Sequence, residues 1–117
     1  MEAPTQTPSV EEGKTIAIIS YITLIGLIIA FVMNNEKKND FAAYHIRQSL
    51  GLVLLYLAVW VLFFVLAFLI NIPFLSTVLY LGLLVLWILG LLAAIQGEKK
   101  PVPIVGAQFQ QWFKGIG

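Results

Sequence analysis

One long apolar run dominates the pattern of this chain. Between Gln48 and Gly97 there is no Asp, Glu, Lys or Arg, and the run has a single break at Asn71-Ile72-Pro73. A helix needs about 20 apolar residues to cross the hydrocarbon core of a bilayer. The run therefore accommodates two spans and a tight turn, which is typical of a helical hairpin in a membrane.

A second apolar stretch, residues 15–33, is also long enough to span at about 1.5 Å per residue. The preceding residues Ser9 to Glu12 have the S-x-x-E spacing of a helix-capping box. The acidic start before this stretch differs from the basic start of a signal peptide. We therefore expect a retained helix from about Val10 to Met33.

Together these patterns predict an all-α integral membrane protein with three transmembrane helices. The membrane domain covers residues 10–97, with spans at about 15–33, 49–70 and 76–96. Residues 1–9, which are rich in Pro and Thr, are predicted to be disordered. Gly97 and Pro101 favour an end to the last span, so residues 98–117 form a tail.

The tail contains a second amphipathic pattern. From Gly106 to Ile116, four large apolar residues share one helical face: Phe109, Trp112, Phe113 and Ile116. This face predicts a short interfacial helix that anchors the tail. Whether the anchor lies on lipid or on the protein's own cytoplasmic link stays open.

Composition agrees with a membrane protein. Hydrophobic residues make up 60% and charged residues 11% of the chain, against about 25% charged residues in soluble domains. The net charge of +1 gives no sign of a nucleic-acid partner. Because the chain has no cysteine, disulfides and thiol chemistry are excluded.

The distribution of basic residues predicts an orientation. Six of the seven lie in two segments: Lys37, Lys38 and Arg47 around the link after the first span, and Lys99, Lys100 and Lys114 in the tail. Basic residues collect on the cytoplasmic side. Three spans then predict a multi-pass protein of the bacterial inner membrane, with its N-terminus outside and its C-terminus in the cytoplasm.

A polar cluster is expected where the second helix enters the membrane. It comprises Phe41, Tyr44, His45, Arg47 and Gln48. One hypothesis is a site for a lipid headgroup, a peptide or a proton. The other is structural: Arg47 snorkels to phosphates while His45 and Gln48 bond the ends of neighbouring helices. Both interpretations stay open at this point.

Other chemistry has little support in the sequence. One histidine and no cysteine do not make a metal shell, no nucleophile lies near a base, and no cofactor motif is present. A non-enzymatic protein is therefore expected. Two pairs of small residues predict close helix packing: Gly26 with Ala30, and Gly90 with Ala94.

Two polar motifs carry a family resemblance. Residues 35–52 read NEKKNDFAAYHIRQSLGL, and residues 96–101 read QGEKKP. They resemble the bacterial relatives of the chloroplast Tic import component, a Tic-twenty-like membrane family. The matching positions are Phe41, His45, Gln48, Gly97, Glu98 and Pro101. The resemblance implies an association with protein import and supplies no catalytic residues.

The expected role is that of a small inner-membrane subunit or accessory component of a membrane complex. Its expected partners are membrane lipid and either further copies of itself or a larger complex. One alternative is an oligomeric translocation component for peptides or a small solute. Another is a lipid-binding or membrane-organising protein.

Overall fold

The computed structural model describes residues 8–117, and within this range it is all-helical, as predicted. The helices are α1 (Pro8–Ile19), α2 (Leu24–Lys37), α3 (Asp40–Leu66), α4 (Pro73–Gln96) and α5 (Gly106–Trp112). Of the segment predicted to be disordered, residues 1–7 lie outside the described residues. Residues 8 and 9 open α1.

The predicted helix from Val10 to Met33 is wrong, because the chain breaks at residues 20–23 and folds back. Gly13 in the middle of α1 packs against Asn39 and Ala42. Near the end of α2, Asn34 exchanges hydrogen bonds of 3.1 and 2.8 Å with the backbone of Asn39. Both ends of this fold-back, which we define as α1, the turn 20–23 and α2, therefore lie at the same end of the molecule.

Tertiary hydrogen bonds account for the break. The carbonyl oxygen of Ser20 accepts from the Ser49 hydroxyl, and that of Tyr21 accepts from the Trp87 indole at 2.7 Å. In a continuous helix these carbonyls would accept from amides four residues later. Thr23 then caps α2 in an extended conformation, its hydroxyl accepting from the Gly26 amide at 3.1 Å.

Two helices of the described chain, α3 and α4, are long and apolar enough to cross a membrane. Three spans are therefore not confirmed. The helix α3 ends at Leu66, and Pro73 opens α4 at a position where its missing amide costs nothing. At the other end, Gly97 closes α4 with a positive φ of 75°, a conformation that glycine adopts readily.

The molecule divides into two regions along its 63 Å length. The apolar hairpin, residues 54–89, contains no buried residue. The base comprises the fold-back, residues 40–53, and residues 90–117. It holds the whole buried core, including Ile16, Tyr21, Phe41 and Ile46.

The tail returns to the base and closes it. The helix predicted from Gly106 to Ile116 is present but ends earlier, at Trp112. Phe109 of this helix is buried directly over Gly51 of α3, where a side chain on residue 51 would collide with the ring. The tail is thus a packed part of the base.

Candidate functional site

The predicted polar cluster lies at the centre of the base. His45 and Gln48 are fully buried, and Phe41 is 1% exposed. Tyr44 and Arg47 are partly exposed on the neighbouring face of α3, which the tail covers. The helix thus presents two polar surfaces, one to the core and one to the tail.

The hydrogen bonds of His45 define which ring nitrogen carries the hydrogen. Its Nε2 lies 2.8 Å from the carbonyl oxygen of Glu98, so Nε2 carries the hydrogen and donates it. Its Nδ1 lies 2.7 Å from the hydroxyl of Tyr21. In the neutral ring Nδ1 is an acceptor, so Tyr21 donates to it.

Gln48 completes this arrangement. Its amide nitrogen donates to the Tyr21 hydroxyl at 2.9 Å and approaches the Lys100 carbonyl at 3.4 Å, while its oxygen accepts from the Val102 amide at 2.9 Å. Burial raises the pKa of the Tyr21 hydroxyl well above its ordinary range, so the group remains protonated and able to donate. We call Tyr21, His45 and Gln48, with the backbone of residues 98–102, the polar clamp.

Aromatic rings enclose the imidazole of His45. The ring centroids of Tyr21, Phe41 and Tyr44 lie 5.5, 4.8 and 5.3 Å from it, each in an edge-to-face arrangement. Such contacts leave the ring in one orientation. The clamp is therefore a rigid connection between the fold-back, α3 and the segment that follows α4.

Arg47 makes a second connection to the tail. Its Nε donates to the Gln110 side chain at 2.8 Å, and one terminal nitrogen donates to the carbonyl of Ile116 at 3.0 Å. The Gln110 amide in turn donates to the carbonyl of Tyr44 at 2.7 Å. The guanidinium thus fixes α5 and the chain beyond it against α3.

The chemical consequence is that the cluster is occupied by its own hydrogen bonds. Both ring nitrogens of His45 and both polar atoms of the Gln48 side chain are engaged within the protein. Within residues 8–117, no group of three His, Asp or Glu side chains could hold a metal ion. This geometry favours the structural interpretation of the cluster.

The four residues of the predicted anchor face different surroundings. Phe109 is buried and stacks on the partly buried Phe113 at a centroid distance of 6.4 Å. Trp112 is 68% exposed, and Ile116 is at the exposed edge of the tail. The first pair holds the tail to the protein, whereas Trp112 faces outward.

The small residues lie at contacts within one chain. A Cβ on Gly90 would come 2.8 Å from the Tyr21 ring, and one on Gly26 would meet the carbonyl of Ile19. Ala30 and Ala94 are fully buried. Gly26 lets α2 turn back closely against α1, and the other three let the fold-back approach α3 and α4.

Sequence reasoning missed Tyr21, Ser20 and Trp87 as members of the site. A usable signal was present, because Ser20, Tyr21 and Thr23 place three polar side chains together in the middle of a supposed span. Polar groups at that depth each need a partner. Such a cluster indicates a place where a helix leaves regular geometry to find one.

Comparison with known proteins gives a family. The profile of the family described as "Magnetosome magnetite crystal formation protein family" matches residues 12–109. A UPF0132 membrane protein of Methanocaldococcus jannaschii is 34% identical over 77 residues, which are 66% of this chain and 67% of that protein. No solved structure matches the chain.

These matches overturn the Tic-twenty-like resemblance, which is wrong. The matched profile covers both motifs on which that resemblance rested, and the comparisons contain no signal of an import component. The physical reason is visible in the base. His45, Gln48 and the Glu98 carbonyl form the polar clamp, so this motif reflects the closure of a small helical base and carries no information about import.

Proposed function

Because the chain belongs to the magnetosome magnetite crystal formation protein family, a family of small membrane proteins, we propose that it is a non-enzymatic accessory subunit of a membrane complex. The family description names crystal formation. We extend to this chain only a more general role, that of a membrane-embedded subunit that other membrane proteins contact.

The exposed apolar hairpin is the observation that carries this proposal. In residues 54–89 every side chain remains at least partly accessible. Trp60, Phe64 and Phe68 form a row along the end of α3 and into the turn that follows it, with ring centroids 5.4 and 5.5 Å apart. Helix association within a membrane depends on van der Waals packing, and aromatic rings are enriched at protein interfaces. A ready-made aromatic ridge suits a partner helix.

The base supports the non-enzymatic part of the proposal. The polar side chains that a reaction would need are held in the clamp between rigid elements. A catalytic group must reach a substrate within hydrogen-bond distance. His45 is fully buried behind three aromatic rings, so its role here is to hold the base closed.

A photocrosslinking experiment tests the role. A photoreactive amino acid replaces Phe64 in the aromatic row, and a matched variant carries it at Phe31, which is similarly exposed on α2. In native membranes the Phe64 variant should give a protein adduct of discrete size and the Phe31 variant lipid adducts. An adduct of two copies would indicate a homo-oligomer. Lipid adducts alone at both positions would reject the proposal.

We further propose that the protein lies in the bacterial inner membrane with its base at the cytoplasmic end. The fold-back argues against the predicted outside N-terminus, because Gly13 in the middle of α1 lies beside the α2–α3 link. Lys14 then joins the other six basic residues at the base, and the apolar hairpin carries none. The positive-inside rule supports a base on the cytoplasmic side.

Cysteine labelling tests this orientation, since the chain has no native cysteine. Single substitutions Glu12→Cys, Lys38→Cys and Lys99→Cys should react from the cytoplasm. Asn71→Cys, in the turn of the apolar hairpin, should react from outside. Labelling of Glu12→Cys and Lys38→Cys from opposite sides would restore a first membrane span.

A further inference from the structure

A groove lies where the fold-back turns away from the two long helices. It has a volume of about 490 Å³, within the range of small-molecule sites. Its floor is the turn Ser20–Thr23, and its walls come from α3 and α4. Because α3 and α4 extend beyond the turn while the fold-back ends there, the groove is the space that a third spanning helix would have filled.

The lining sets the chemistry of the occupant. Its walls are largely aliphatic, with Leu52, Val53, Leu57, Leu83 and Leu84 among them. The lining contains no Asp, Glu, His, Lys or Arg. A charged or sugar-like ligand would lose its hydration here without replacement bonds.

Most polar groups at the floor already bond within the protein. The Ser49 hydroxyl donates to Ser20, the Trp87 indole donates to Tyr21, and the Thr23 hydroxyl accepts from the Gly26 amide. Two tyrosines, Tyr56 and Tyr80, add their rings to the wall, with centroids 5.4 Å apart. The floor therefore offers few bonds to a polar ligand, and the aliphatic walls suit a hydrocarbon.

We propose that this groove binds one hydrocarbon chain of a membrane lipid. The groove is continuous with the lipid-facing surface of the apolar hairpin, because Leu24, Leu57 and Leu84 line it and are also 56%, 48% and 48% exposed outward. The medium at its mouth in a membrane is thus lipid chains. This proposal does not depend on the role proposed for the aromatic row, since Trp60, Phe64 and Phe68 are outside the lining.

The short length of the groove argues against a helix of a second copy as the occupant. The lining on α3 runs from Ser49 to Leu57, which is about 12 Å or a little over two helical turns at 1.5 Å per residue. A helix about 10 Å across would contact the groove over this short length only. A narrow flexible chain can instead follow the groove from the turn to the lipid-facing surface.

The natural reporter is Trp87, whose indole forms part of the wall. The chain has three tryptophans, so the substitutions Trp60→Phe and Trp112→Phe leave Trp87 as the single indole. This protein is freed of lipid in a detergent with a rigid steroid tail and titrated with phosphatidylcholine that carries brominated acyl chains. Bromine quenches indole fluorescence on contact, so a bound chain gives quenching that saturates near one lipid per protein.

A groove-filling variant and a matched control give the decisive comparison. Leu83→Phe adds a ring within the groove and should weaken the saturable quenching about tenfold or more. Val61→Phe makes a similar enlargement on α3 outside the lining, at a residue that is 51% exposed, and should behave like the parent. Quenching that rises without saturation, or that is equal in both variants, would overturn the proposal.

A second measurement covers the case in which Leu83→Phe does not fold. The unmodified protein, extracted from membranes in the same detergent, is weighed intact by native mass spectrometry. One retained lipid per chain is the expected mass. A bare chain would reject the bound lipid, and a mass of two chains without lipid would assign the groove to a second copy.

Discussion

The two long helices α3 and α4 run through both the base and the apolar hairpin, but their side chains are packed differently in the two regions. In the base, α3 buries His45, Gln48 and Ser49 and satisfies each with tertiary hydrogen bonds. In the apolar hairpin, the same helix continues for some 13 residues without burying any side chain. Lipid chains are as apolar as leucine, so burial there gives little drive for helices to pack. The buried side chains and tertiary hydrogen bonds that specify the conformation of this protein therefore lie in the base.

This contrast predicts that substitutions in the base are costly and that equivalent substitutions in the apolar hairpin are mild. Each substitution in the base can therefore be tested against a matched substitution at an exposed position.

The largest effect is expected for Gln48→Leu. This change keeps the side-chain volume but leaves the Val102 amide without its acceptor. It also removes the hydrogen bond that the Tyr21 hydroxyl accepts, although that hydroxyl still donates to His45. An orphaned buried amide costs about 1–3 kcal/mol and a lost hydrogen bond about 1 kcal/mol, so the free energy of unfolding should fall by about 2–4 kcal/mol. Thermal unfolding in detergent measures it. Leu62→Ala, on the exposed part of α3, should leave the midpoint nearly unchanged, and equal midpoints for both variants would remove the contrast.

A smaller effect on global unfolding is expected for Phe109→Ala, because the loss is limited to the docking of the short helix α5. Truncating a buried phenylalanine costs about 3 kcal/mol or more, and here the loss falls on the docking of α5 over Gly51. Cleavage by added protease after Pro103 should become faster while the helical content is retained. Trp112→Ala, at a residue that is 68% exposed, should leave the cleavage rate close to that of the parent. Faster cleavage in the Trp112 variant alone would show that lipid, and not α3, holds the tail.

The smallest effect is expected from a pair of glycines. Gly51→Ala forces a methyl group against the Phe109 ring and should destabilise the protein by about 1–3 kcal/mol through overpacking. Gly82→Ala, in the apolar hairpin, meets no atom within 4 Å. It should be neutral or stabilise α4 by up to about 1 kcal/mol, since alanine has the higher helix propensity. A lower unfolding midpoint for Gly51→Ala together with an unchanged or higher one for Gly82→Ala would confirm the contrast. Equal shifts in the two variants would reject it.

The sequence predicted the hairpin well and the fold-back not at all, for a physical reason. Hydropathy reports where a helix is tolerated by lipid, and residues 15–33 pass that test. The break depends on donors far along the chain, at Ser49 and Trp87, which take the carbonyls that a continuous helix needs. The local cluster of Ser20, Tyr21 and Thr23 indicates where a break can occur, but it does not identify these distant donors.

The polar cluster was predicted by residue but not by partner. His45 and Gln48 stood out as polar side chains at the start of an apolar helix. Their partners are mostly backbone atoms of Glu98, Lys100 and Val102, and any residue type can supply a carbonyl or an amide. The tail helix was predicted from its aromatic spacing, but it ends near Trp112 because two glycines, at 115 and 117, follow.

The fold-back also bears on how the chain enters a membrane during synthesis. With the base on the proposed cytoplasmic side, and with α1, the α2–α3 link and the tail all in the base, the stretch that has to be carried across the membrane is the turn 67–72. That turn contains no charged residue. An architecture of this kind can be inserted as a paired loop from the side of the ribosome, without export of the charged N-terminal residues. The last step of assembly is then the return of residues 98–102 to His45 and Gln48, which can occur only after the ribosome has released them.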